Sequence, residues 1–281
     1  MKIGLVTDSP ADIPTAIAAQ YEIEVIPSII VIEGQPLMDG KDITREAFYT
    51  RLPSFKTAPT TAAPSIGDFQ LRYRKLLEAG CQHIISLHTA EKLTSIVSIA
   101  RQAAADFQGQ ITVLESGSLS LGLGFQVLAA AEVIAEDGSL DEALGAIQST
   151  RERMRVYAAL DTVEYVRRSG RVPAAVAALG GMLQIKPVVE LAEGEVRPLG
   201  APRTTHQAAE KLYALLTALG PLERLAILHT NAPARAKEFL QMLMGPNQRQ
   251  SLPRDILMVN VTTVIGTHVG PNGLGVAAVK R

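Results

Sequence analysis

Short apolar runs alternate with longer amphipathic stretches through the first half of the chain. The apolar runs have the length of buried strands, and the stretches between them have the pattern of helices that bury one face. The predicted strands are 3–7, 23–32, 82–88 and 110–115. The predicted helices are 15–20, 42–52, 66–79, 93–105, 121–136 and 141–153. This alternation predicts a mostly parallel sheet flanked by helices.

The pattern changes after about residue 155. Residues 185–199 are typical of a β-hairpin that turns at Glu193-Gly194, and strands joined by short turns pair antiparallel. Further strands are predicted at 156–161, at 224–229 and twice near the C-terminus, with helices at 162–168, 205–219 and 232–244. We therefore predict an α/β protein of two domains, 1–154 and 155–281, the second with a mixed or antiparallel sheet. No linker separates them, so a ligand is expected between the two.

The stretch from Thr262 to Gly275 joins two β-branched runs and contains His268 between glycine-containing turns. Three hydroxyl residues precede the histidine in this stretch, namely Thr262, Thr263 and Thr267. Taken alone, the pattern favours a β-hairpin connection with a surface histidine.

Polar loops follow three predicted strands, where ligands bind in open α/β sheets. Asp8 and Ser9 follow the first strand, and either can cap the next helix. The proline-rich loop 53–65 offers hydroxyls and free N–H groups to an oxyanion, although Ser65 is also a good helix cap. Thr94 and Ser95, at another helix start, have the same two interpretations.

Composition limits the classes of function. The 281 residues are 47% hydrophobic and 20% charged, which allows a sizeable core, and the net charge of −1 gives no reason to expect nucleic acid. The single cysteine, Cys81, excludes an internal disulfide, and no Cys/His spacing is typical of a metal site. No secretory signal and no apolar run near ~18 residues are present, so we expect a cytoplasmic protein without membrane insertion.

Motifs for catalysis are missing. The sequence contains neither a Gly-x-Ser-x-Gly elbow nor a Gly-x-x-x-x-Gly-Lys-[Ser/Thr] phosphate loop. Ser116 and Ser118 are therefore interpreted as possible caps of the helix that follows. Asp8 and Asp12 are conceivable metal ligands, but capping explains them equally well.

Several motifs, taken in order, resemble those of the DegV family. They are Val6-Thr7-Asp8-Ser9 with Asp12-Ile13-Pro14, the loop Pro59–Ser65, Ser116-x-Ser118-x-Ser120-x-Gly122-x-Gly124, Glu164-Tyr165, Ser169-Gly170-Arg171, Ile185-Lys186-Pro187, and Gly266-Thr267-His268-x-Gly270-Pro271 with Leu274-Gly275. The resemblance covers nearly the whole chain, and its specificity lies in the ordered combination.

The resemblance implies a two-domain DegV-like fold that binds one long-chain fatty acid. The carboxylate is expected in the interdomain crevice and the acyl chain in an apolar tunnel. It also implies a carrier, not an enzyme, that presents the fatty acid to a separate fatty acid kinase, with no cofactor and no metal.

The same resemblance assigns roles to individual residues. The residues matched to carboxylate binding are Thr61, Thr94 and His268. The residues matched to the head-group region or to kinase docking are Arg171, Arg203, Ser118 and Thr267. Arg171 also has a structural explanation, because cations complement the end of a helix.

The chain departs from the family pattern at four points. Ala62 and Ala63 remove a hydroxyl and an amide, Ser95 replaces a glycine, and His88 with Thr89 occupies a serine-rich stretch. Two alternatives therefore stay open. One is a hydrolase or transferase that uses His268 or His88 with a serine on a small anion, and the other is a binding protein for a different amphipathic carboxylate.

Overall fold

The computed structural model describes residues 1–170, 185–245 and 251–281. Its strands are β1 (Ile3–Asp8), β2 (Glu24–Ile26), β3 (Ile29–Ile32), β4 (Gln35–Met38), β5 (Thr60–Ala62), β6 (His83–His88), β7 (Ile111–Glu115), β8 (Met154–Ala159), β9 (Val188–Ala192), β10 (Glu195–Gly200), β11 (Leu222–His229), β12 (Ile256–Asn260) and β13 (Leu274–Lys280). Its α-helices are α1 (Thr15–Gln20), α2 (Arg45–Arg51), α3 (Ile66–Glu78), α4 (Ile96–Ala104), α5 (Leu121–Ala135), α6 (Leu140–Arg153), α7 (Glu164–Ser169), α8 (Thr205–Thr217), α9 (Pro233–Leu243) and α10 (Thr263–Val269). Short 3-10 helices occupy Ser9–Ala11, Leu52–Ser54 and Ala105–Phe107.

The first sheet is parallel throughout, in the order β2-β1-β6-β7. Side chains alternate between its faces, so Ile84 packs with α3 and α4 while Ile85 packs with α5. Ser65 caps α3 as predicted, in a reciprocal capping box with Asp68. The predicted parallel sheet with flanking helices is confirmed.

The predicted strand 23–32 is wrong as a single element. It breaks at Pro27-Ser28 into β2, which joins the first sheet, and β3, which is central in a separate antiparallel sheet of order β4-β3-β5. Proline lacks the N–H that a continuous central strand needs, which accounts for the break. Strand β5 comes from the predicted loop 53–65 and is too short for a periodic signal.

The C-terminal sheet has the order β10-β9-β8-β13-β11-β12. All neighbours are antiparallel except β11 and β12, so the predicted mixed sheet is confirmed. The hairpin turn at Glu193-Gly194 is also as predicted, with positive φ at both residues.

The predicted hairpin connection before β13 is wrong. Strand β11 lies between β12 and β13, parallel to the first and antiparallel to the second. The chain must therefore cross over β11, and it does so through α10, with Thr262 as the N-cap.

A single hydrophobic core spans both large sheets. It contains Leu5 and Ile85 from the first sheet and Val156 and Leu228 from the second. Helix α5 lies between them, with every residue from 121 to 131 buried. Packing is thus continuous across residue 154, and the division into two domains there stays a prediction. None of the helices in the described part of the chain combines the length and apolar composition needed to cross a bilayer.

Candidate functional site

A cavity of about 410 Å³ lies where β5, the start of α4, α7, β10 and α10 meet. Its polar lining consists of hydroxyl residues and one histidine. These residues are Ser28, Thr61, Thr89, Thr94, Ser95, Ser169 and His268. The structure therefore brings Thr61, Thr94 and His268, predicted from three separate motifs, to one cavity.

Thr61 and His268 are in direct contact. The distance from Thr61 Oγ1 to His268 Nε2 is 3.0 Å, and both side chains are half-buried. Thr61 is positioned by β5, which pairs with β3 at Ile30, and His268 lies in the last turn of α10. The contact joins positions 207 residues apart, so it depends on the tertiary position of α10.

Two buried carboxylates hold the N-terminus of α10. The Thr262 N–H donates to Asp12 Oδ1 at 2.8 Å, and Thr263 donates to Asp39 Oδ1 from its N–H at 3.1 Å and from its hydroxyl at 2.5 Å. Negative charge at this end also complements the helix dipole. Asp12 therefore caps α10, which is distant in sequence, and anchors the helix that carries His268.

Asp12 has further partners from other parts of the chain. Ser120 Oγ donates to its Oδ2 at 2.6 Å, and Arg45 Nη1 lies 3.2 Å from its Oδ1. Burial raises the pKa of Asp12 to about 6, while the charge of Arg45 and the hydrogen bonds from Ser120 and Thr262 oppose that rise. Ser120, rather than Ser116 or Ser118, occupies the cap position of α5, and its hydroxyl is used for Asp12 instead of capping.

Tyr49 of α2 contacts the start of α10 and packs against its middle at Gly266. Its hydroxyl lies 3.2 Å from the carbonyl oxygens of both Val261 and Thr262. Gly266 makes this approach possible, because a Cβ at that position would overlap the Tyr49 ring and hydroxyl. Helix α10 is thus positioned by contacts at its start and along one side.

A hydrogen-bonded chain lies beneath the cavity. His88 Nδ1 is 3.1 Å from Asp8 Oδ2, and His88 Nε2 is 2.6 Å from Ser86 Oγ, which is itself 2.8 Å from the Tyr73 hydroxyl. Asp8 also accepts from the N–H of Thr89 at 3.0 Å and from its hydroxyl at 2.7 Å. This arrangement of serine, histidine and carboxylate was not predicted from the sequence. Ser86 and His88 are two residues apart on one strand, and that spacing indicates that they share a face.

The burial of this hydrogen-bonded network excludes Ser86 as a nucleophile. Asp8, Ser86 and His88 are each 0% exposed. The predicted capping by Asp8 is wrong, since it makes no side-chain bond to the 3-10 helix that follows and bonds Thr89 and His88 instead. His88 is buried beneath the cavity, which argues against the alternative enzyme that uses His88 on a small anion. The network instead fixes Thr89, which lines the cavity.

An apolar cavity of about 120 Å³ adjoins the first one. The two cavities share five lining residues, which are Leu119 before α5, Val166 of α7, Val196 of β10, and Ile265 and Val269 of α10. Strands β8, β9 and β13 supply most of the remaining wall. One end of the combined space is thus lined by hydroxyls and an imidazole, and the other by aliphatic side chains. Such a space suits an amphipathic ligand with a polar or anionic end.

The other predicted site residues lie elsewhere. Ser118 lines a separate polar cleft beside Arg151, and Thr267 is buried within α10, where its hydroxyl donates to Thr263 O at 2.9 Å. Arg203 is exposed ahead of α8 and does not line the cavity. Arg171 lies outside the described residues.

The departures from the family pattern fall largely on the cavity. Ala62, Ala63 and Ser95 line it, and His88 lies directly beneath it through Asp8 and Thr89. Ser28 and Ser169 also line it but were not predicted. Within the described ranges, no group of three or more His, Cys, Asp or Glu side chains is arranged to hold a metal ion.

Comparison with known proteins gives one consistent result. The family model described as an uncharacterised protein of the DegV family matches residues 2–281. A DegV domain-containing protein of Streptomyces coelicolor is 32% identical over 283 residues, covering 99% of each chain.

Solved structures extend this similarity to three dimensions. A DegV family protein of Thermus thermophilus, described by its fatty acid binding, matches with a TM-score of 0.92 and 31% identity over 100% of both chains. DegV of Bacillus subtilis, described as a fatty acid binding protein, matches with a TM-score of 0.87 and 26% identity over 100% of both chains. The family match over residues 2–281 and the agreement in fold show that this chain belongs to the DegV family.

Proposed function

We propose that this protein binds one long-chain fatty acid. The carboxylate contacts Thr61, Thr94 and His268, and the acyl chain enters the apolar cavity behind them. The observation that carries the proposal is that the hydroxyl-lined cavity adjoins an aliphatic one with which it shares five lining residues. The fatty acid binding of the Thermus thermophilus and Bacillus subtilis relatives supports it.

The energetics favour a lipid over a small anion. Burial contributes about 0.8 kcal/mol per methylene, so a long acyl chain supplies on the order of 10 kcal/mol before entropic losses. The described residues of the cavity lining include no lysine or arginine. The groups that they offer to the carboxylate are hydroxyls and an imidazole. Hydrogen bonds to a charged group contribute roughly 1.5–3 kcal/mol each, which is enough to orient the head group.

We further propose that the protein is a carrier that presents the fatty acid to a separate kinase. The family resemblance supports this role, as does the absence of a phosphate-binding loop from the sequence. The test is to mix loaded protein with candidate kinases and ATP and to measure acyl phosphate. Acyl phosphate formed by the isolated protein alone would contradict the carrier role.

Native mass spectrometry followed by denaturing extraction tests the binding itself. We expect a single stoichiometric adduct with the mass of a long-chain fatty acid, or uptake of added palmitate by protein stripped of lipid. A bare protein that also refuses palmitate would contradict the proposal.

The double variant Thr61→Ala/His268→Ala tests the assigned residues. We expect loss of lipid retention with an unchanged circular dichroism spectrum, because both side chains line the cavity and are only half-buried. Full lipid occupancy in the double variant would show that the carboxylate binds elsewhere.

A further inference from the structure

Ser28 has a buried hydroxyl that the fold leaves without a partner. The residue is 1% exposed, and within the described part of the chain no atom forms a hydrogen bond with its Oγ. Its backbone is fully used, since its N–H donates to Ser9 Oγ at 3.1 Å and its carbonyl accepts from the Asp39 N–H at 3.0 Å. Buried polar groups are nearly always hydrogen-bonded, so this exception needs an explanation.

The strand register places Ser28 on the face that carries Thr61. Ile30 of β3 pairs with Thr61 of β5, and paired residues in an antiparallel ladder point to the same side. Ser28 precedes Ile30 by two residues and therefore shares that side. On this side Thr61 meets His268, and Ser28 lines the same cavity.

Two neighbouring hydroxyls in the cavity are already engaged. Thr89 donates its hydroxyl hydrogen to Asp8, and the Thr61 hydroxyl is in contact with His268. Continuing the β3–β5 register by one residue sets Ser28 opposite Ala63, which offers no donor. Ser28, directly before β3, thus has a buried hydroxyl whose hydrogen is still available.

We propose that Ser28 Oγ donates a hydrogen bond to the carboxylate of the bound fatty acid and helps to select that head group. This inference rests on the proposed function. In the empty protein an unpaired buried hydroxyl is unfavourable, and the ligand carboxylate supplies the missing acceptor. The Ser28 hydroxyl then increases the affinity for the fatty acid and lowers the stability of the ligand-free protein.

The test compares Ser28→Ala with a matched control, Thr7→Val. Thr7 Oγ1 is another buried hydroxyl without a partner among the described residues, and Thr7 does not line the cavity. Protein stripped of lipid is titrated calorimetrically with palmitate and with methyl palmitate, and urea unfolding of the empty protein is followed in parallel.

We expect Ser28→Ala to weaken palmitate binding at least about tenfold, since hydrogen bonds to charged groups are the stronger ones. The loss should be smaller for neutral methyl palmitate, and the unfolding midpoint of the empty variant should be equal or higher. Thr7→Val should bind palmitate as the wild type does.

The possible outcomes separate the two proposals. Equal palmitate binding by wild type and Ser28→Ala would overturn the role of Ser28 and leave fatty acid binding intact. Equal losses for both ligands, or a destabilised empty variant, would show a structural role and would also overturn it. A wild type that binds neither ligand would overturn the proposed function itself.

Discussion

Asp12 shows how one buried carboxylate can organise distant parts of the chain. Its oxygens receive hydrogen bonds from Ser120 and Thr262 and lie beside Arg45. Its pKa is nevertheless raised, to about 6, because burial outweighs these partners. Burial of the Asp12 carboxylate is therefore unfavourable in itself, and its structural role is to position α10.

This raised pKa predicts a definite pH dependence of stability. The folded state binds more protons than the unfolded state between the ordinary value of 3.8 and about 6, so the contribution of Asp12 to stability falls as pH rises through that window. A shift of about two pKa units corresponds to roughly 3 kcal/mol.

Urea unfolding of wild type and Asp12→Asn between about pH 4 and pH 7 measures this dependence. Asparagine does not titrate, so we expect the stability advantage of the wild type over the variant to shrink from pH 4 to pH 6 and then to stay constant. An advantage that grows over this range would contradict the assigned pKa direction.

The sequence predicted three residues that line the cavity, but it did not predict the residues that support them. Thr61, Thr94 and His268 belong to motifs that can be read locally, and all three line the cavity. The supports could not be predicted, because Asp12 and Asp39 act on a helix more than 220 residues away. Ser28 also escaped prediction, since nothing in Pro27-Ser28 indicates that the hydroxyl is buried without a partner.

At the scale of elements, α10 is a helix that its own sequence disfavours. Threonine, valine and glycine are weak helix formers, and the pattern around His268 predicts turns. Tertiary contacts supply what local propensity lacks, through the N-cap of Thr262, the two aspartates and Tyr49. Predictions from local pattern fail where such contacts decide the structure.

Gly266→Ala tests the dependence of the site on this packing. The added methyl overlaps Tyr49, so we expect a loss of about 1–3 kcal/mol in unfolding free energy. Because α10 must then move relative to α2, the contact between Thr61 and His268 should be disturbed and palmitate affinity should fall.

The matched control is Gly145→Ala in α6, where the added methyl meets nothing within 4 Å. Alanine is favoured over glycine in a helix by about 1 kcal/mol, so this variant should be more stable and should bind palmitate normally. Stability and binding are measured by urea unfolding and calorimetry. Wild-type behaviour of Gly266→Ala would contradict the tight packing of α10 on α2.

At the scale of the molecule, the two large sheets were largely predictable because all of their strands except β2 have five or more residues and form recognisable apolar runs. The small sheet β4-β3-β5 was not, although it supplies Thr61. Helix α5 contacts both large sheets and unites them in one core. The combined cavity lies between elements from both halves of the chain, so its size depends on how these halves pack.

Ala158→Leu tests where the acyl chain ends. Ala158 is half-buried on β8 and lines the apolar cavity of about 120 Å³. A larger side chain there should displace about two methylenes, which lowers palmitate affinity about tenfold. Decanoate, which is shorter, should bind the variant and the wild type alike. An equal loss for both fatty acids in calorimetric titration would contradict this placement of the tail.

The cavity that joins the halves of the chain has a consequence for turnover of the protein. A fatty acid in that position adds contacts from β5 and α4 on one side to α10 and β10 on the other, and it therefore lowers the population of opened molecules. Proteases cleave mainly such opened molecules when reclosure is fast. If the protein binds a fatty acid as proposed, the loaded protein should resist proteolysis longer than the empty one, and its amount in a cell should then follow the supply of fatty acid.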